Sequence, residues 1–286
     1  MSAAAVLPRR VLAVHAALLA TTALTCVTAA TVRQGFDPRT DLRTLIHGIP
    51  FAATLLSILL VHESGHYLSC RWHGVRASLP YFLPAPPVFI LGTLGAFIRI
   101  RSRFPDRRAL FDVGASGPWA GFVVALAASA VGLARSTVTT APPEHAWMLG
   151  DSILFAFLTR LVLRADPAHV VLHDVAFAGW VGLLVTSLNL LPAGQLDGGH
   201  VLYAAAGRRT NALPGLLFGF LVWLGLRRGQ PIWFFWGGVV ALMMLVGHPP
   251  TEDDAQPLGS GRLLATLATL ALFVLTFVPE PIRYVG

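Results

Sequence analysis

Apolar residues run along this chain in blocks long enough to cross a bilayer, separated by short polar stretches rich in arginine. A helix of about 17 to 25 predominantly apolar residues suffices to span the hydrocarbon. Windows near that length lie at 11–32, 46–70, 110–134, 172–192, 212–227, 231–247 and 262–279. The expected fold class is an all-α polytopic membrane protein of about seven transmembrane helices. Between the second and third windows the pattern changes. Prolines at 80, 84, 86 and 87 forbid a continuous helix, and the β-branched and aromatic residues from Val88 to Ile100 suggest strand. A short membrane-associated β-hairpin or sheet is expected there. An open strand edge cannot face lipid, so it must lean on protein or line a wet cavity.

Three segments follow from the same pattern. Residues 1–44 read as an N-terminal transmembrane helix and loop, 45–206 as a central membrane segment, and 207–286 as C-terminal transmembrane helices with no ionisable residue in their interiors. No repeat, low-complexity tract or soluble domain interrupts them. The first apolar block, Val11 to Ala30, outruns the 7 to 15 residues typical of a signal peptide and lacks a clean cleavage site, so an uncleaved helix is expected. Ser152 to Leu158 is apolar but too short to cross, which suits a re-entrant or interfacial segment. Gly117-x-x-x-Gly121 in the third window reads as a small-residue helix contact.

Composition supports the membrane reading. The chain of 286 residues is 55% hydrophobic and 12% charged, against about 25% charged in soluble domains. Its formal charge of +7 comes from 21 basic residues, all arginine, against 14 acidic ones. These arginines sit between spans instead of forming a soluble basic patch, so no nucleic-acid partner is expected. Arg71, Arg76, Arg99, Arg101, Arg103, Arg107 and Arg108 fall in one polar stretch, which the positive-inside rule assigns to the cytoplasm. Two cysteines, Cys26 and Cys70, lie within apolar windows and form no disulfide framework.

Against that background four ionisable groups stand out. His62-Glu63-Ser64-Gly65-His66 ends the apolar run from Gly48 to Leu60, and Asp197 follows an uncharged run from Val175 to Leu196. Such groups in hydrocarbon cost several kcal/mol, roughly, unless a partner or function holds them. Four residues is about one helical turn, so His62 and His66 project from one face and can reach one metal. Glu63 then lies beside the metal without binding it, a position that suits a general base. Zinc is expected, because it accepts mixed nitrogen and oxygen ligands and a catalytic site takes three protein ligands. A shared cation would account for both buried carboxylates. Pro192 and Gly194 break the helix before Asp197, and Gly198 with Gly199 leaves room for another backbone. Asn189, a donor and acceptor in a dry site, could hold a substrate peptide or an interhelical hydrogen bond.

HExxH together with Asn189-x-x-Pro192-x-x-x-x-Asp197-Gly198 resembles the site-2 proteases, the intramembrane zinc metallopeptidases. The resemblance covers residues 45 to 206. It implies one Zn2+ per chain held by His62, His66 and Asp197, with Glu63 as catalytic acid/base and Asn189 engaging substrate. The stretch from Pro80 through Gly92-Thr-Leu-Gly95-Ala-Phe97, Pro105-Asp106-Arg107 and Gly117-Pro118-Trp119-Ala120-Gly121 looks most like the cyanobacterial and chloroplast branch and its bacterial relatives. Many bacterial members carry a PDZ domain, and this chain has none, so no such domain is expected to select substrates.

The activity so implied is hydrolysis of peptide bonds in or near transmembrane segments. The partners expected are a transmembrane protein substrate and the lipid bilayer; the pattern sets no oligomeric state. A helical substrate must unwind before attack, and an exposed edge along Gly92 to Ile98, with Gly92 and Gly95 as substrate-binding positions, could take it by β-addition. The alternative enzyme is a prenyl-peptide-type zinc protease, which takes a downstream Glu as third ligand. Glu63 is the only Glu before Pro143, and Glu144 and Glu252 lie in polar loops. A catalytically silent scaffold is the other alternative, although Glu63 and every ligand are present. His200, nearest the site in sequence, is expected to play a supporting role, and His73, His169, His173 and His248 are expected outside the ligand set. The all-Arg usage and the lack of a transit-like leader favour a bacterial inner membrane, with the site toward the cytoplasm.

Overall fold

The computed structural model of the chain describes residues 8–86, 88–140, 146–246 and 250–285. Pro87, Glu144 and His248 lie outside the described residues. The first helix, α1 (Arg9–Arg33), leads through a 3-10 turn (Leu42–Gly48) into α2 (Ile49–Trp72). A hairpin of β1 (Tyr81–Pro84) and β2 (Thr93–Phe97) precedes α3 (Arg107–Leu133). Then come β3 (Thr137–Val138), β4 (Ala146–Leu149), α4 (Ile153–Leu163) and β5 (Val170–Val171). The chain continues with α5 (Asp174–Asn189), α6 (Asp197–Ala206), α7 (Leu213–Arg228), α8 (Pro231–Val246), α9 (Ser260–Thr276) and β6 (Ile282–Val285).

Helix α3 is the hub, packing on α2, α5 and α6. Its buried face is a stripe of small residues, Gly114, Gly117, Gly121, Ala125, Ala128, Ser129 and Gly132, which lets backbones approach closely. In lipid the apolar tails compete equally for greasy surface, so close contact rather than water exclusion holds such helices together. Pro118 lies inside this helix, where neighbouring helices make the loss of one ladder bond tolerable. Asp106 starts α3 by accepting a hydrogen bond from the Ala109 amide at 2.8 Å. Across the other end of the bundle, the Arg33 guanidinium lies 4.4 Å from the ring centroids of both Phe51 and Phe177 and pairs with Asp174 at 2.5 Å. That contact ties the end of α1 to α2 and α5.

Three described helices are long and apolar enough to cross a membrane: Arg9–Arg33, Leu42–Trp72 (the 3-10 turn joined to α2) and Arg107–Leu133. The later ones are shorter. Helices α7 and α8 have 16 residues each, about 24 Å at 1.5 Å per residue, below the roughly 30 Å of hydrocarbon. The apolar window 172–192 holds one helix, α5, which stops at Asn189; the chain becomes helical again only at Asp197, past Pro192, which cannot donate to the ladder. The intervening loop bonds to itself, with the amides of Leu191, Ala193 and Leu196 donating to the carbonyls of Leu188, Leu191 and Ala193.

Strands β1 and β2 pair antiparallel, from Tyr81 opposite Phe97 to Pro84 opposite Thr93, with an irregularity between Leu83 and Pro84. The hairpin leans on α1. The Thr25 hydroxyl donates to the Gly92 carbonyl at 2.7 Å, and His15 Nδ1 donates to the Pro80 carbonyl at 2.9 Å. Its connecting loop presents Val88, Phe89 and Ile90 to the surroundings. The segment around Ser152 to Leu158 forms α4, with Phe155, Leu158 and Thr159 buried. Its opposite stripe, Ile153, Phe157 and Leu161, is exposed.

Candidate metal centre

One helix and the start of another bring the site together. His62, Glu63 and His66 are all buried on α2, and Asp197 is the first residue of α6. A carboxylate at a helix N-terminus sits in the favourable end of the helix dipole. The loop before Asp197 folds tightly over the helix start, since a Cβ at Gly198 would collide with the Leu190 carbonyl.

Among the described residues, His62, His66 and Asp197 form the group of metal-ligating side chains that converges on one point. His62 Nε2 lies 3.3 Å from Asp197 Oδ2, His66 Nε2 lies 3.3 Å from Asp197 Oδ1, and the two imidazole nitrogens are 3.1 Å apart. A tetrahedral zinc with bonds of about 2.0–2.1 Å has ligand-to-ligand edges of about 3.3–3.4 Å. Each of these separations is close to one such edge, and one ligand atom from each of the three residues lies within 4.8 Å of the other two.

The chemistry of the donors agrees. His66 Nδ1 is 2.7 Å from the Val113 carbonyl, which can only accept, so the proton sits on Nδ1 and the Nε2 lone pair points into the triangle. Asn189, at the end of α5, places Nδ2 3.4 Å from His62 Nε2. Glu63 stays outside the triangle, its carboxylate facing the backbone amide of Ile98 just past β2.

The other expected positions divide. Gly92 docks against α1, where a Cβ would strike Thr25 and Cys26, so it seats the hairpin. Gly95, with φ of +101°, has open space where a Cβ would be. His200 lies beside the site on α6, its ring 5.8 Å from that of Phe104. His73 binds Asp112 at 2.9 Å and not the triangle. Among the described residues no glutamate joins the triangle, as a prenyl-peptide-type site would require.

The glycines of α3 have a role that the pattern alone did not reveal. A Cβ at Gly117 would fall on the His66 imidazole, and one at Gly121 would lie 3.0 Å from His62 Cβ and Nδ1. They are read above as helix packing, and they do pack, but against the ligand rings. Their spacing from Val113, at four and eight residues along one face, is the signal that could have joined them to the site.

The model of peptidase family M50 matches residues 50–216. Two proteins named probable zinc metalloprotease EGY1, chloroplastic, are similar: that of Oryza sativa subsp. japonica is 32% identical over 88% of this chain and 45% of its own length, and that of Arabidopsis thaliana 35% identical over 81% and 43%. Probable zinc metalloprotease EGY2, chloroplastic, of Arabidopsis thaliana is 28% identical over 86% of this chain and 44% of its own. This chain thus spans less than half the length of the curated relatives it matches. Their names place those relatives in the chloroplast, which does not fit the bacterial inner membrane expected from arginine usage. No solved structure matches the chain. With both motifs inside the matched region and their ligands meeting in space, the chain belongs to peptidase family M50, the site-2 protease type of zinc metalloprotease.

Proposed function

We propose that this chain is an intramembrane zinc endopeptidase that hydrolyses peptide bonds within or near transmembrane segments of membrane proteins, as in regulated intramembrane proteolysis. The observation that carries the reading is the ligand triangle of His62, His66 and Asp197 held between apolar helices, with Glu63 beside it. Bound zinc supplies Lewis acidity, which makes water acidic near neutral pH and polarises a scissile carbonyl. Glu63 takes the proton from the attacking water and passes it to the leaving amine. Asn189 donates through Nδ2 to the carbonyl oxygen as it gains charge. His66, its Nδ1–H fixed on the Val113 carbonyl, keeps its other nitrogen aimed at the site.

In this reading α5 and α6 make one span broken at the site, and with α1, α2, α3, α7, α8 and α9 they give seven. The site opens toward the cytoplasm, beside the arginine-rich segment. Strand β2 ends next to Glu63, and its edge away from β1 accepts an unwound substrate by β-addition, Gly95 leaving space for the incoming backbone.

The test is co-expression of the chain, or Glu63→Gln, with a tagged single-pass membrane substrate. A chelator-sensitive product is expected from the first, and a loss of roughly 10²- to 10⁴-fold from the second, with zinc binding retained. Equal cleavage by both forms would overturn the role of Glu63. Proline substitutions along residues 93–97 are expected to lower cleavage of transmembrane substrates; unchanged cleavage would count against strand addition.

A further inference from the structure

Helix α9 begins well beyond residues 50–216, yet it reaches back to the segment of α3 that orients a ligand. Arg262 on its first turn grips Asp112 with two parallel hydrogen bonds, Nε to Oδ1 at 2.8 Å and a terminal nitrogen to Oδ2 at 2.7 Å. The same Oδ2 accepts from His73 Nε2 at 2.9 Å, at the C-terminal end of α2. Asp112 immediately precedes Val113, whose carbonyl holds His66. His73 lies about two turns beyond His66 on the same helix. One carboxylate therefore joins the three helices, and the two it links at the site are the ligand-bearing α2 and the carbonyl-bearing α3.

We infer that Arg262 and Asp112 are positioning residues for the metal centre, setting the register of α2 against α3 so that the Val113 carbonyl meets His66 Nδ1. The inference rests on the metal-site reading above. A planar guanidinium binding both carboxylate oxygens fixes direction as well as distance, which a lysine cannot do. The pair is not a ligand and does not touch the reacting atoms. Its effect passes through α3 to the imidazole.

The experiment measures zinc affinity of the full chain in detergent by competition with a chromophoric chelator, alongside thermal unfolding. Loss of partners that orient a ligand typically weakens metal binding roughly 10- to 100-fold. Arg262→Ala is expected in that range, and Arg262→Lys between it and the unsubstituted chain. Arg228→Ala removes a comparable ion pair, to Glu280 at 2.7 Å, elsewhere in the C-terminal helices, and is expected to leave zinc affinity unchanged. If Arg262→Ala does not fold, the lysine variant carries the readout. Zinc affinity unaltered in the Arg262 variants, or weakened as much by Arg228→Ala, would overturn the inference. An unsubstituted chain that binds no zinc would instead overturn the metal reading, and this inference with it.

Discussion

The Cβ that Gly117 lacks would occupy the place of the His66 imidazole. Helix α3 is therefore shaped around a ligand ring, one turn from the carbonyl that orients it. Gly117→Ala is expected to push His66 out of the triangle and weaken zinc binding by roughly 10- to 100-fold. At Gly121 the nearest His62 atoms would be 3.0 Å from a new Cβ, a contact that a small shift relieves. Gly121→Ala should thus cost less than Gly117→Ala in the same chelator competition. The opposite ranking would mean that helix packing, not ligand clearance, governs this face.

Asn189 places its amide nitrogen 3.4 Å from His62 Nε2. Removing one preorganised oxyanion donor typically lowers kcat about 10²- to 10³-fold. Asn189→Ala is expected to show that loss in turnover of a transmembrane substrate, with zinc affinity held within about threefold. A parallel fall in zinc affinity would reassign Asn189 to support of His62.

Asp151, in the connection before α4, provides a pH test outside the membrane helices. Burial pushes its carboxyl up to about 6, against the attraction of Arg283 and Arg160 and with the repulsion of Asp166. The folded value lies above the unfolded one, so its contribution to stability is complete below about pH 4 and is lost as pH rises through about 6. Asp151→Asn should match the unsubstituted chain near pH 4 and melt higher above pH 6, the gap opening between those values in detergent unfolding scans. A gap independent of pH would show that ionisation is not its cause.

Much of the site was legible because helical spacing and a short motif are local. His62 and His66 share a face by arithmetic, and Pro192 marks the helix break that frees Asp197 to turn inward. The pairing of Asp112 with Arg262 was not legible, since 150 positions separate them and neither carries a local pattern. The glycines of α3 were legible as a close helix contact, but that spacing serves any such contact, so the ligand rings they pack against were not. Strand expected along Val88 to Ile100 is confined to Thr93–Phe97, its partner being Tyr81–Pro84, and the seat of this pair on α1 depends on Thr25 and His15, which look like ordinary helix residues. Helix lengths after Asn189 were harder still: apolarity continues to Leu196, past the residue where α5 stops.

The bond from His66 to Val113 engages a main-chain oxygen, and that has a consequence for how the protein tolerates change. Every amino acid at position 113 presents the same carbonyl, so no single replacement there deletes the acceptor. Val113 is itself buried in the core, so a replacement there acts on metal binding through packing and the placement of α3, not through loss of the acceptor. Mutational fragility is displaced instead to residues that set where α3 lies, most of which carry no chemistry of their own.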